Sequence, residues 1–136
     1  AVSGQGADEL FGGYNRYLNS YMENTLDDEL RHDLANMYHV NLERDDACSM
    51  ANGVELRLPF LDKNLVEFAL NIPVRYKISG SDDKLRKNIL RKTAFNLGLD
   101  KQIAYRPKKA AQYGTGIDKI LRKKVLRDTD IEEYLK

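Results

Sequence analysis

Ser3-Gly4-Gln5-Gly6-Ala7-Asp8-Glu9-Leu10-Phe11-Gly12-Gly13-Tyr14 is the stretch on which the reading of this chain turns. Ala1-Val2 before it is too short to show a period and reads as the end of a strand, and Ser3-Gly4-Gln5-Gly6 is a turn that opens onto a helix. From Ala7 the apolar positions Leu10, Phe11, Tyr14, Tyr17, Leu18 and Tyr21 recur at three- and four-residue steps, which predicts one helix face to about Met22. Gly12-Gly13 inside that helix costs about 1 kcal/mol per glycine against alanine, so a close backbone approach is expected there. A strand end passing through glycines into a helix start presents backbone N–H groups and the positive end of a helix dipole to a phosphate or adenylate. Asp8 and Glu9 in the first turn offer carboxylates to Mg²⁺. The plainer alternative is a tight turn in which the two acids only complement the dipole. The stretch is not a phosphate loop of the G-x-x-x-x-G-K-[ST] type.

Outward from this stretch the chain reads as helices. Asp27 or Asp28 caps a second helix whose stripe Leu30, Leu34, Met37, Tyr38, Asn41 and Leu42 runs on toward Met50, with Gly53 placed to end it. Val54–Phe60 is an extended connection stopped by Pro59. Asp62 caps a helix over Lys63–Asn71 whose nearly continuous apolar residues predict deep burial. After a loop over 73–81, a helix from about Asp82 runs through Leu85, Ile89, Leu90 and Thr93 to Gly98, with Lys84, Arg86, Lys87, Arg91 and Lys92 on its other face. An irregular segment from Tyr105 to Gly116, a basic helix over Ile117–Leu126 and an acidic turn capped by Asp130 complete the chain. The body is mainly α, one domain's worth over residues 1–136, with no internal repeat.

The composition agrees: 136 residues, 42% hydrophobic and 32% charged, describe a globular chain. No run approaches the roughly 20 apolar residues that span a bilayer, so no membrane helix is expected. Cys48 has no second cysteine to pair with, which excludes a disulfide framework and points to a reducing compartment, the cytoplasm. The net charge of +1 hides a split: residues 1–83 carry 7 basic and 15 acidic side chains, residues 84–127 carry 14 and 2, and residues 128–136 carry 1 and 4. A +12 segment predicts a polyanion partner, a solvated face or pairing with the acidic part. The chain opens at Ala1 without a charged or apolar leader and is expected to be a piece of something longer.

Three blocks carry a resemblance. Residues 3–14 resemble the SGEGADELFGGY signature of the asparagine synthetase family, departing at Gln5. Arg44-Asp45-Asp46, Met50-Ala51 and Gly53-Val54-Glu55-Leu56-Arg57-Leu58-Pro59-Phe60-Leu61-Asp62 are similar to that family's second conserved block. Arg106-Pro107-Lys108-Lys109-Ala110-Ala111-Gln112-Tyr113-Gly114 resembles its RxK segment, in the form of the archaeal and eukaryotic asparagine-synthetase-like proteins. The resemblance implies the helical C-terminal half of an adenine-nucleotide α-hydrolase-like (ATP pyrophosphatase) α/β synthetase domain. It implies ATP-dependent activation of aspartate as β-aspartyl-AMP, then amidation by ammonia or glutamine-derived nitrogen to give asparagine. ATP and Mg²⁺ are the implied cofactors.

By the same resemblance Ser3 and Gly4 contact ATP or AMP, Asp8 stands near Mg²⁺ and pyrophosphate, Lys108 neutralises phosphate charge as the adenylate forms, and Arg106 serves the same anion or orients its loop. Gln5 stands where the family has a glutamate tied to the adenylate and the incoming amine. It keeps the shape and reach of glutamate but not its charge, so on sequence alone Gln5→Glu is expected to raise amidation. The SGGxDS pyrophosphate loop and the glutaminase domain are not in these 136 residues, which makes the fragment inactive alone and predicts self-association into a homo-oligomer. Upstream segments of the same protein are the implied partners.

The remaining polar residues read as structural. Glu55 with Arg57 is expected as an internal ion pair, Arg44-Asp45-Asp46 as a buried network, His32 and His39 as surface or half-buried residues, Cys48 as a helix-packing residue and the tyrosines mostly as core. A competing class is a non-catalytic synthetase-like domain using its basic surface for RNA or protein. The lack of interleaved aromatics, apart from Tyr105 and Tyr113, argues against nucleic acid.

Overall fold

The helix expected over 7–22 breaks at its glycines. In the computed structural model, which describes residues 1–108 and 114–120, α1 is Ala7–Phe11 and α2 is Tyr17–Met22. Gly12 and Gly13 both return their N–H to the Asp8 carbonyl, which closes α1 after five residues. The apolar stripe survives the break: Leu10 and Phe11 enter one core, with Ala69 and half-buried Leu34, Phe60 and Leu90, while Tyr17 enters a second with Leu26, Leu30 and Ile78.

The long second helix forms α3, Leu26–Met37, passes through a π-turn over Tyr38–Leu42 and continues as α4, Glu43–Met50. Thr25 occupies the N-cap position, and Asp27 and Asp28 lie inside the first turn, where they complement the dipole. α2 is bound to α3 by a polar cluster at its edge. Arg16 reaches Glu29 and Asp33, lies 4.6 Å from the centroid of the Tyr14 ring, and shares Asp33 with the Tyr17 hydroxyl.

Val2 and Arg57 form a single parallel bridge, and no longer ladder exists among the described residues. The connection 54–58 ends in a 3₁₀ turn, Pro59–Leu61, and the Asp62 carboxylate caps α5, Lys63–Leu70, by accepting from the Asn64 and Leu65 N–H groups. α5 is not deeply buried: Ala69 alone is, and Phe68 is 67% exposed. A 3₁₀ turn over Val74–Tyr76 leads to Lys77, which is fully buried and whose Nζ has no hydrogen-bond partner among the described residues. Burial pushes that ammonium below its ordinary range, against the pull of Asp27.

α6 spans Asn88–Asn96 and α7 spans Lys101–Ala104, the latter capped by Asp100. Helix α6 therefore begins six residues after Asp82, where the sequence places it. The chain divides into two compact units, Ala1–Arg106 and Pro107–Lys136. The second contains α8, Ile117–Ile120; the rest of the expected basic helix and the Asp130 turn lie outside the described residues.

Exposure revises several side chains. Arg57 and Glu55 pair at 2.9 Å on the surface, not internally. Cys48 is exposed rather than packed, as are Tyr38 and Tyr76, while His32 and His39 lie on the surface as expected. Arg44 and Asp46 are exposed, and only Asp45 of that trio is half-buried.

Candidate functional site: two turns meeting at Gly13

The first turn is set by the bridge. Ser3 N–H donates to the Arg57 carbonyl (2.9 Å) and Arg57 N–H to that of Ala1 (2.8 Å), so the chain enters Gly4 in a fixed register. A Cβ built on Gly4 would meet nothing within 4 Å, which leaves room for a ligand beside the backbone. Gly6 has φ +92°, and a Cβ there would lie 2.5 Å from Leu61 Cδ2, so only glycine both makes this bend and sits against the Pro59–Leu61 turn. The bend sends Asp8 and Glu9 in different directions. Glu9 is buried and accepts a 2.6 Å hydrogen bond from the Tyr14 hydroxyl; burial first, then that bond, pushes the Tyr14 phenol well above its usual range. Of the two acids considered for Mg²⁺, Asp8 is the one facing the other turn.

The second turn, residues 79–88, is organised by Asp83. Its Oδ1 accepts from the Leu85 and Arg86 N–H groups (3.0 and 2.8 Å), and its Oδ2 from Ser79 N–H, Ser79 Oγ and Asn88 Nδ2. Burial alone would raise the Asp83 carboxyl, but these hydrogen bonds outweigh it and hold it below its ordinary 3.8. The turn carries Arg86 and Lys87 at φ 54° and 52°, a left-handed pair without glycine that costs about 1–3 kcal/mol per residue. Side-chain anchors hold it. Arg86 is buried and donates to the Gly13 carbonyl (3.0 Å) and to Asn15 Oδ1 (3.1 Å). Arg91 donates to four carbonyls, those of Leu85, Arg86, Ala104 and Arg106, at 2.8–2.9 Å. Burial pushes the Arg91 guanidinium below its ordinary pKa range.

The strain delivers one group. Lys87 Nζ lies 2.7 Å from Asp8 Oδ1, and the two side chains are only 19% and 23% exposed. The pair packs across Gly13, where a Cβ would fall 1.7 Å from Asp8 Oδ1 and 2.4 Å from Lys87 Cε. The close approach expected at Gly12-Gly13 is therefore made by two charged side chains rather than by backbone. A carboxylate and an ammonium held together can accept a cation at one and an anion at the other, each strengthened by partial exclusion of water. No group of three or more His, Cys, Asp or Glu able to cage a metal occurs among the described residues.

Gln5 is half-buried and donates from Nε2 to Asp45 Oδ2 on α4. Arg44 donates to Asp45 Oδ1 from Nε (3.0 Å) and Nη2 (2.8 Å). Burial would raise the Asp45 carboxyl, and the bonds from Arg44 and Gln5 bring it below its ordinary value.

Ser3, Gly4, Gln5 and Asp8 thus share one turn. Arg106 is exposed at the end of the first unit, its carbonyl held by Arg91, and Lys108 belongs to the second unit. Sequence reasoning does not single out Lys87, Asp83, Arg91 or Asp45 as site residues. The available signal is Ser79-Gly80-Ser81-Asp82-Asp83, a cluster that favours a side-chain-bonded turn over the helix start assigned to it. The basic face of that helix is also reduced: Arg86, Lys87 and Arg91 are engaged internally, and Lys84 and Lys92 are left exposed.

Among known proteins, the asparagine synthase family profile matches residues 19–132 of this chain. A protein of Methanocaldococcus jannaschii whose name carries asparagine synthetase (glutamine-hydrolysing) is 47% identical over 154 residues, covering 90% of this chain and 28% of that protein. An asparagine synthetase domain-containing protein of Saccharomyces cerevisiae is 39% identical, covering 95% and 23%. The root asparagine synthetase (glutamine-hydrolysing) of Pisum sativum is 34% identical, covering 85% and 20%. The chain spans about a quarter of the length of these relatives. No solved structure matches.

Proposed function

Since this chain belongs to the asparagine synthase family, we propose that it builds part of the nucleotide site of an ATP-dependent, amide-forming synthetase that converts aspartate to asparagine. The observation that carries this reading is the Asp8–Lys87 pair, held across Gly13 by the helix into which the Gly4 turn leads. In the proposed reaction the aspartate side-chain carboxylate attacks the α-phosphorus of ATP, pyrophosphate leaves, and an amine, as ammonia or from glutamine, displaces AMP from the β-aspartyl carbonyl. The surrounding fold we assign is the adenine-nucleotide α-hydrolase-like α/β domain, with the Val2–Arg57 bridge at the margin of its sheet.

The donor set fits Mg²⁺ bound together with phosphate. That ion takes one or two protein carboxylates and completes its shell with phosphate oxygens and water; Asp8 supplies one, and Glu9 is committed to Tyr14. Asp8 would be the protein ligand of such an ion, which would supply neutralisation of phosphate charge. Ser3 and Gly4 line the space in which the nucleotide backbone would lie. Lys87 is then the cation released from Asp8 to meet phosphate charge. α1 has five residues and a correspondingly small dipole, so anion binding rests on fixed cations more than on the helix end. Lys108 is assigned the neutralisation of pyrophosphate, and Arg106 the ordering of the segment that carries it.

Aspartate-dependent ATP–pyrophosphate exchange by the protein carrying this chain tests the proposal. Exchange that requires both aspartate and Mg²⁺ is expected. ATP turnover indifferent to aspartate, or salt-sensitive RNA binding with no exchange, would contradict it.

A further inference from the structure

We propose that Asp45 is a positioning residue of this site, fixing the side-chain amide of Gln5 so that Oε1 is presented as a hydrogen-bond acceptor to the incoming amine; the role rests on the synthetase reading. The geometry leaves one arrangement. An ionised carboxylate only accepts hydrogen bonds, so it must face the NH₂ end of an amide. Asp45 is held ionised: Arg44 covers Oδ1 from two nitrogens, and Gln5 Nε2 covers Oδ2. With Nε2 committed to Asp45, Oε1 is the acceptor end that the Gln5 amide keeps for another donor. Gln5 adjoins Gly4, whose flank is open. An acceptor fixed there suits an N–H donor, which ammonia is.

The same contact explains the departure at position 5. Glutamate there would bring a second acceptor against Asp45 Oδ2, two carboxylate oxygens competing for one proton. In this chain the negative charge stands on α4 and the donor on the turn. The contact therefore reverses the expectation drawn from sequence alone: Gln5→Glu should slow amidation.

Four forms of the protein test this: unsubstituted, Gln5→Glu, Asp45→Asn, and the double substitution. In the double form the amide on α4 donates to the carboxylate on the turn, which restores the bond with its polarity inverted. Each form is measured for thermal midpoint, for aspartate-dependent ATP–pyrophosphate exchange and for asparagine formed from ammonia. Gln5→Glu is expected to lower the midpoint and to cut asparagine formation about tenfold or more while exchange stays within about threefold. Asp45→Asn, which lets the amide turn either way, is expected to raise KM for ammonia with little effect on exchange. The double form is expected to recover both midpoint and asparagine formation. Exchange and asparagine formation falling in step would reduce the bond to a staple between turn and α4 and overturn the role, as would a double form no better than Gln5→Glu. If the unsubstituted protein exchanges and makes asparagine but neither substitution moves asparagine formation, the positioning role fails and the synthetase reading stands. No exchange in the unsubstituted protein overturns that reading and the role together.

Discussion

The two turns that meet at Gly13 solve one problem by opposite means. Both bend the chain through a left-handed residue into a helix, α1 after Gly6 and α6 after Lys87. In the first, glycine makes the bend at little steric cost, and the empty Cβ positions double as contact space. In the second, Arg86 and Lys87 hold the same backbone region against their own side chains, and Asp83, Gly13 and four carbonyls gripped by Arg91 keep them there. A bend made by removing side chains is cheap and leaves the backbone open to a neighbour. The bend made by anchoring side chains is strained, and it places an ammonium on Asp8.

The contrast can be broken most severely at the contact itself. Gly13→Ala inserts a Cβ into the space shared by Asp8 and Lys87 and is expected to lower unfolding free energy by about 3 kcal/mol, with loss of exchange; urea unfolding followed by the exchange assay checks both. Next, Arg91→Met leaves four carbonyls short of a donor and is expected to cost about 2 kcal/mol, because the strain at Arg86 and Lys87 then lacks its restraint. The same unfolding experiment reads it, and a cost near zero would mean that the second turn holds itself.

Asp83→Asn probes the hub of that turn. The folded pKa of Asp83 is depressed, so its contribution is full above the unfolded value near 3.8 and disappears as pH falls through the folded value. Unfolding free energy measured from pH 6 downward should therefore fall below about pH 4 in the unsubstituted chain and fall less in Asp83→Asn. The mildest perturbation is Gly4→Ala. Its Cβ meets no protein atom within 4 Å, so stability should change by less than about 0.5 kcal/mol, while exchange falls if that space belongs to the nucleotide. Unchanged exchange would move the nucleotide away from Gly4.

The same contrast explains what can be read in advance. Glycine positions are written in the sequence, and so the turn that leads from Ser3 into α1 is legible, as are the Asp62 cap and the helix ends at Gly53 and Gly98. The break after Phe11 is not, because the apolar stripe continues across it and periodicity registers only the stripe. The deep burial expected of α5 fails for a related reason: an apolar run says nothing about which element covers it, and Phe68 faces outward. The second turn is illegible because its conformation depends on partners far away in the chain, Gly13 being 73 residues from Arg86. A row of lysines and arginines at helical spacing looks like a solvated face until those partners are known. Asp45 is hidden likewise, 40 residues from Gln5.

The central claim is that Asp8 and Lys87 act as one unit of the proposed nucleotide site, and a double-substitution cycle on ATP–pyrophosphate exchange tests it most directly. Asp8→Asn and Lys87→Met are each expected to lower aspartate-dependent exchange about a hundredfold, and the double substitution to be no worse than the weaker of the two. Losses that multiply in the double form, or exchange that survives removal of Lys87, would contradict the account.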